Sequence, residues 1–132
     1  MTDPIDLICI IDDDPIYAFA VQKLFKMNNF SNNCVIFKNG QEALEGLSNL
    51  FNEQDTLPDL ILLDINMPIM DGWQFLEAYK STSLYNKIPI FITSSSVDTL
   101  DVNKAETNSL VKGYVNKPLN LDSLTLIKSK CL

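Results

Sequence analysis

The chain has 132 residues, 46% of them hydrophobic and 20% charged, a composition typical of a globular domain. Its net charge is −7, and its ten basic residues are all Lys, since it contains no Arg. Without guanidinium groups it cannot bind phosphate or guanine bidentately, which argues against nucleic-acid binding. It also has no His, the commonest general base and imidazole ligand.

No apolar run approaches the roughly 20 residues of a membrane-spanning helix, and the acidic N-terminus does not resemble a signal peptide. We therefore expect a cytoplasmic protein without a membrane partner. The three cysteines, Cys9, Cys34 and Cys131, form no C-x-x-C pair. In that compartment they are expected to be reduced thiols.

Apolar runs alternate with amphipathic segments along the whole chain. Five of the runs are predicted to be strands: Leu7–Ile11, Cys34–Phe37, Leu60–Ile65, Ile88–Thr93 and Val111–Val115. The first, third and fourth are almost continuously apolar, as expected of strands that are covered on both faces. The repeated alternation of strand and helix predicts one parallel α/β sheet with helices on both faces. No linker or repeat interrupts the pattern, and a second domain has no room.

Helices are predicted between the strands. Two of them show apolar stripes at helical spacing: Ile16, Phe19, Ala20, Leu24 and Met27, and then Ala43, Leu44, Leu47, Leu50 and Phe51. The other three are predicted over residues 72–81, 98–109 and 121–130. Asp14 followed by Pro15 is typical of a helix start, and Asn39 with Glu42 three residues later resembles a capping box.

Acidic residues end two of the apolar strands. Asp12, Asp13 and Asp14 follow the first strand, and Asp64 lies at the end of the third. Ligands of open α/β sheets bind outside the carboxyl ends of the strands, so neighbouring strands would bring these carboxylates together. Such a cluster favours Mg²⁺, which takes oxygen ligands and often binds one or two carboxylates plus a phosphate. The alternatives are a helix cap, which we favour for Asp14, and a solvated turn for Asp12 and Asp13.

Two further strand ends have groups suited to a phosphoryl ligand. The fourth run ends in TSSS, from Thr93 to Ser96, and hydroxyls can donate to phosphoryl oxygens. The fifth run is followed by Lys117, whose ammonium is a point charge suited to phosphate. Each signal alone is weak, because hydroxyls often cap helices and lysines are usually solvated. All four strand ends together favour a functional site.

These segments resemble the receiver domain of bacterial response regulators, the CheY-like family. The resemblance covers nearly the whole chain, in the segments ICIIDDDP, NGQEAL, PDLILLDINMPIMDGWQFL, IPIFITSSS and GYVNKPL. It implies a five-stranded, doubly wound parallel sheet of the flavodoxin-like (βα)5 type, with strand order 2-1-3-4-5. It also implies that residues 1–132 form one receiver domain. We expect no output domain after it, although a fragment of a longer protein would show the same pattern.

The resemblance also implies a role for each acidic residue. Asp64 would accept a phosphoryl group from a partner sensor histidine kinase or phosphotransfer protein, which is nucleophilic catalysis giving an acyl phosphate. Mg²⁺ would bind Asp12, Asp13, Asp64 and the backbone carbonyl of Asn66. The Lys117–Pro118 peptide bond is a candidate for the cis form, which is nearly confined to proline.

Three further residues would respond to the phosphoryl group. The resemblance implies that Ser94 and Lys117 bind it and that Tyr114 is the aromatic switch residue. Thr93 is the alternative hydroxyl. The family pattern places the hydroxyl five positions after the proline of the preceding strand, and counting from Pro89 gives Ser94. The side chains of Thr93 and Ser94 must face opposite ways if the strand continues.

The implied function is a phosphoacceptor in two-component or phosphorelay signalling, not a turnover enzyme. Phosphorylation would switch the face of the fourth helix, fifth strand and fifth helix, which would bind a downstream protein. A phosphorelay intermediate or a scaffold receiver is an alternative. An Mg²⁺-dependent phosphatase of the haloacid dehalogenase type needs a second acid two residues after the nucleophile, where this chain has Asn66. A flavodoxin-like nucleotide binder needs a Gly-rich loop after the first strand, where this chain has aspartates.

Overall fold

The computed structural model describes residues 4–95 and 98–131. Ser96, the last residue of the TSSS run, lies outside the described residues. Within them, strands and helices alternate in the order β1 Ile5–Ile11, α1 Pro15–Met27, β2 Ser31–Phe37, α2 Gly40–Gln54, β3 Leu60–Asp64, α3 Gly72–Tyr79, β4 Ile90–Ser94, α4 Thr99–Thr107, β5 Val111–Asn116 and α5 Leu121–Cys131. None of the described helices is long and apolar enough to cross a bilayer.

The five strands form one parallel sheet in the order β2-β1-β3-β4-β5, which confirms the predicted fold class. The strand register aligns the carboxyl ends along one edge. Asp64 pairs with Thr93, and Ser94 pairs with Asn116. Just past β1, the Asp12 N–H donates to the Phe37 carbonyl at 3.0 Å. The strand ends that were predicted to carry the site therefore lie side by side.

Alternating side chains of the strands give the sheet two apolar faces. Ile8 and Ile10 of β1 pack with residues of α1 and α5, whereas Cys9 and Ile11 pack with residues of α2, α3 and α4. All four of these side chains are buried, as expected for a doubly wound sheet that is covered on both sides. The cysteines are free thiols, as predicted.

The strand bounds differ from the prediction by one to three residues. The largest difference is in β2, which begins at Ser31 instead of Cys34. Its first three residues are polar and mostly exposed, and the strand pairs only with β1 at the sheet edge. Backbone pairing defines that part of the strand, so the apolar pattern could not reveal it.

The apolar stripe predicted for α1 is wrong for most of its residues, although Leu24 is partly buried against the core. Ile16 and Met27 are each 79% exposed, and Phe19 is 63% exposed. The helix instead buries Ala18, Val21 and Phe25 against the sheet. Because α1 is apolar on most of its circumference, its sequence contains two apolar stripes at helical spacing. Packing against the sheet buries the stripe that was not predicted. The stripe predicted for α2 is correct in its centre, where Ala43 and Leu47 are fully buried.

The helix caps were predicted in part. Asp14 caps α1, with Pro15 at its first position: the Asp14 Oδ1 accepts hydrogen bonds from the next turn. Asn39 accepts from the Glu42 N–H at 2.9 Å. The reciprocal half of that capping box is absent, because the Glu42 carboxylate instead contacts the N–H of Lys38 at 3.5 Å. A complete capping box does form at the start of α3, between Asp71 and Gln74.

Candidate functional site

Three carboxylates meet at the carboxyl edge of the sheet. Asp12 and Asp13 come from the turn after β1, and Asp64 is the last residue of β3. One oxygen from each of the three lies within 4.8 Å of the others. Asp12 and Asp64 are buried, whereas Asp13 is exposed. The cluster therefore has a buried floor and one carboxylate at its opening.

Lys117 reaches this cluster from the loop after β5. Its Nζ lies 2.6 Å from Oδ2 of Asp12 and 3.3 Å from Oδ1 of Asp64. Its backbone N–H donates to the Ser94 carbonyl at 2.8 Å, which ties the loop to the end of β4. The following peptide bond, Lys117–Pro118, is cis, as predicted. Residues from three separate strand ends thus form one charged network.

Backbone donors hold the two buried carboxylates in place. The N–H of Asp14 donates to Oδ1 of Asp12 at 2.9 Å. The N–H of Asn66 donates to Oδ1 of Asp64 at 3.4 Å, a long bond. Asp12 is therefore bonded on both oxygens, one to Asp14 and one to Lys117. This arrangement fixes the orientation of its carboxylate.

The environment of Asp64 makes its carboxyl less acidic than usual. Burial raises its pKa to about 6, and the neighbouring Asp12 carboxylate adds to that rise. The Lys117 ammonium and the Asn66 N–H act in the opposite direction but do not cancel it. A carboxyl with a pKa near 6 is mostly ionised at neutral pH and above, so Asp64 is available there as a nucleophile.

The donor set fits a hard divalent cation. Three carboxylates and one ammonium leave two net negative charges in the site. Carboxylate oxygens are the ligands that Mg²⁺ prefers, and a partly open position leaves room for its waters and for a phosphate. Asp12, Asp13 and Asp64 would supply such ligands. The predicted fourth ligand, the Asn66 carbonyl, belongs to the exposed residue two positions after Asp64.

Gly72, the first residue of α3, allows that helix to start against the end of β3. A Cβ at this position would lie 2.7 Å from the Asp64 carbonyl oxygen and 2.8 Å from the Ile65 Cα. The Gly72 N–H donates to the Ile65 carbonyl at 2.8 Å. Both clashing atoms belong to the backbone, which cannot move aside cheaply. Gly72 lies in the segment PDLILLDINMPIMDGWQFL, but this contact depends on the tertiary structure.

The two candidate hydroxyls lie on opposite faces of β4. Alternation along β4 places Ser94 on the same face of the sheet as Ile90 and Ile92. That face packs with α2, α3 and α4, and Tyr114 of β5 lies on it as well. Thr93 lies on the opposite face, together with Phe91, and that face packs with α1 and α5. Ser94 is fully buried. This alternation supports Ser94, rather than Thr93, as the hydroxyl that responds to the phosphoryl group, because Ser94 shares its face with Tyr114. The switch role of Tyr114 stays a prediction.

Tyr17 is a site residue that the sequence pattern did not indicate. It lies in the first turn of α1, and the Nζ of Lys117 is 4.2 Å from the centre of its ring. Burial raises the pKa of its hydroxyl, and the carboxylates of Asp12 and Asp64 act in the same direction. The only local signal was its position three residues after the helix cap Asp14.

A doubly wound parallel sheet with an acidic cluster and a lysine at its carboxyl edge defines a CheY-like receiver fold. The chain belongs to this family: the model of the response regulator receiver domain matches residues 8–127. A similar curated protein is the probable methanogenesis regulatory protein FilR2 of Methanothrix harundinacea, 27% identical over 89% of this chain and 76% of its own length. Some other curated relatives are much longer than this chain, which spans 15% of one and 25% of another.

Solved structures show the same fold. A two component response regulator from Cytophaga hutchinsonii is 32% identical, with a TM-score of 0.90 and 97% of both chains covered. The Mn²⁺-bound form of the response regulator Rcp1 is 26% identical, with a TM-score of 0.74, covering 93% of this chain and 89% of that one. The chain is therefore a receiver domain of two-component signalling by sequence and by fold.

Proposed function

We propose that this protein is a phosphoacceptor of a two-component or phosphorelay system. Asp64 accepts a phosphoryl group, with Mg²⁺ bound, from a partner histidine kinase or phosphotransfer protein. The observation that supports this best is the Lys117 ammonium, which bridges Asp12 and Asp64 within a cluster of three carboxylates. We place the protein in the cytoplasm.

The transfer step uses the ionised Asp64 carboxylate. One of its oxygens attacks the phosphorus of a phosphohistidine, the N–P bond breaks, and its electron pair stays on the imidazole nitrogen of the partner. Lys117 offsets the charge of the phosphoryl oxygens beside it, and Ser94 donates a hydrogen bond to one of them. Asp12, Asp13 and Asp64 would hold Mg²⁺, which would supply charge neutralisation and orientation. The Mn²⁺-bound form of the similar regulator Rcp1 supports a divalent cation here.

The output is a change of a protein-binding surface. Phosphorylation replaces the single negative charge of the Asp64 carboxylate with a phosphoryl group that carries about −1.5 to −2 charges, a local event that can bias a two-state element. Ser94 and Tyr114 lie on the same face of the sheet, on the adjacent strands β4 and β5. Movement of Ser94 toward the phosphoryl group would let Tyr114 fill the vacated space. The face of α4, β5 and α5 would then present the change to a downstream protein.

A phosphatase is the less favoured reading. The position two residues after Asp64 is Asn66, and the amide of its exposed side chain cannot act as the general acid of such an enzyme. We therefore propose self-catalysed phosphorylation with slow hydrolysis of the acyl phosphate, not turnover of a substrate. A phosphorelay intermediate uses the same chemistry, whereas a scaffold receiver would not require the complete charged site.

The test is phosphorylation by a small donor. Acetyl phosphate with Mg²⁺ should add one phosphoryl mass to the intact protein, and EDTA should prevent the addition. Asp64→Asn should abolish the adduct, whereas Asp59→Asn, at an exposed residue just before β3, should not. An adduct that survives Asp64→Asn would refute the assignment of the acceptor. Sustained hydrolysis of a phosphate ester would favour the phosphatase.

A further inference from the structure

The Lys117 ammonium contacts an aromatic ring as well as its two carboxylates. Its Nζ lies 4.2 Å from the centre of the Tyr17 ring, while Asp12 and Asp64 are 2.6 Å and 3.3 Å away. The ring face is electronegative and attracts a cation within about 6 Å. The Lys117 side chain is 16% exposed, so this contact is partly shielded from water. Such shielding strengthens a cation–π interaction.

The contact is made by the ring of Tyr17, not by its hydroxyl. The Tyr17 oxygen is buried and has no hydrogen-bond partner of good geometry among the described residues, although Thr93 is close enough to lower its pKa. The ring is placed by the start of α1, where Asp14 Oδ1 accepts from the Ile16 and Tyr17 N–H groups at 3.0 Å and 3.3 Å. The cap thereby holds the backbone of Tyr17 at the start of the helix, beside Lys117.

We propose that Tyr17 is a positioning residue that holds the Lys117 ammonium against Asp12 and Asp64. This inference rests on the proposed function, in which Lys117 offsets the charge of the phosphoryl group. A lysine side chain is long and flexible, and each of its contacts restricts the positions that the ammonium can take. The ring adds a third contact to the two that the carboxylates make with the ammonium. Its loss lets Lys117 leave the site more often, although the two ion pairs remain.

This role predicts opposite effects on two measurable quantities. When Lys117 leaves, phosphoryl transfer slows, because the charge of the phosphoryl oxygens is offset less well. The same departure removes a cation that competes with Mg²⁺ for Asp12 and Asp64, so Mg²⁺ binds more tightly. A merely structural role for Tyr17 would loosen the whole site, and both the transfer rate and the Mg²⁺ affinity would fall.

The experiment compares Tyr17→Leu with the wild-type protein. We expect phosphorylation by acetyl phosphate to slow by about 5-fold, as measured by intact mass at saturating Mg²⁺, the size expected for a partly shielded cation–π contact. Calorimetric titration should show Mg²⁺ bound about 2- to 3-fold more tightly. The NMR signals of the Lys117 ε-protons should lose the upfield shift that a nearby ring face causes.

Two further variants make the result specific. Tyr17→Phe restores the ring, so it should restore the upfield shift and most of the rate. Phe51→Leu removes a half-buried ring in α2 that also has a lysine nearby, at 6.0 Å, and it should change neither Mg²⁺ affinity nor rate. If Tyr17→Leu does not fold, as judged by circular dichroism, Tyr17→Met replaces it.

A thermodynamic cycle separates this inference from the proposed function. In the background of Lys117→Met, Tyr17→Leu should no longer tighten Mg²⁺ binding, because no ammonium remains to be released. Tighter binding in that background would overturn the inference, as would a parallel loss of rate and Mg²⁺ affinity in the single variant. If the wild-type protein is not phosphorylated, the proposed function fails, while the Mg²⁺ and NMR measurements still decide the role of Tyr17.

Discussion

The Lys117 ammonium lies 2.6 Å from Oδ2 of Asp12 and joins the loop after β5 to the end of β1. Both side chains are shielded from water, and Asp12 is almost completely buried. Removal of one partner from such a pair leaves an uncompensated buried charge, which costs several kcal/mol. The ion pair therefore links the stability of the resting protein to the residues that the proposed chemistry requires.

Lys117→Met should lower the free energy of unfolding by roughly 3 kcal/mol at pH 7 without Mg²⁺. The variant retains the length of the side chain but leaves Asp12 and Asp64 without their cation. Mg²⁺ should then recover more stability in the variant than in the wild-type protein. Urea unfolding with and without Mg²⁺ measures both effects. Equal stabilisation of the two proteins by Mg²⁺ would show that Lys117 does not compete with the metal.

Asp64→Asn should stabilise the Mg²⁺-free protein at neutral pH. The pKa of Asp64 is raised from 3.8 to about 6, so the folded state holds the proton more tightly than the unfolded state. Its favourable contribution is complete below about pH 4 and is lost as the pH rises through 6. One pKa unit corresponds to roughly 1.4 kcal/mol, and solvent screening reduces the full value, so we expect a gain of about 1–2 kcal/mol at pH 7.5.

The pH dependence of that gain is the sharper measurement. The difference in unfolding free energy between Asp64→Asn and wild type should decrease as the pH falls from 7.5 to 4. Glu53→Gln, at an exposed residue of α2, is the control. Its unfolding free energy should stay close to that of the wild-type protein across this pH range. A loss of stability in Asp64→Asn at pH 7.5 that disappears toward pH 4 would mean that Asp64 is stabilised as the anion.

Adjacent aspartates should respond differently to substitution. Asp13→Asn removes a predicted ligand and should weaken Mg²⁺ binding by at least about 10-fold, with little change in stability. Asp14→Ala removes the cap of α1 and should cost about 1 kcal/mol of stability, while Mg²⁺ binding remains. Calorimetric titration and urea unfolding of both variants give the comparison. Loss of Mg²⁺ binding in Asp14→Ala would contradict this division of the cluster.

Gly72→Ala should disturb the site through the backbone. The new Cβ would meet the Asp64 carbonyl oxygen at 2.7 Å, so α3 or the end of β3 must shift, at a cost of about 1–3 kcal/mol. We expect slower phosphorylation as well as lower stability. Gly40→Ala is the matched control, because Gly40 is also the first residue of a helix. There the closest atoms, at 2.8 Å, belong to the flexible side chain of Met70. Equal costs at the two positions would argue against the backbone clash.

Local patterns revealed most of the fold and the acidic part of the site. An almost continuously apolar run such as Leu60–Ile65 needs only its own residues to indicate a buried strand, and Asp14 bonds to N–H groups within the next turn. The end positions of the strands then placed Asp12 and Asp64 on one edge. Each of these conclusions depends on neighbours in the chain or on the general rule that parallel strands align their carboxyl ends.

Only the tertiary structure decided which face α1 buries and what covers Lys117. The stripe of Ile16, Phe19 and Met27 has the same helical spacing as the stripe that is buried, so local propensity could not separate them. Packing against the sheet made that choice, and it turned Tyr17 toward a lysine from the opposite end of the chain. Contacts between distant segments depend on the register of packed elements, because no short-range pattern of residues specifies which side chains meet across a sheet.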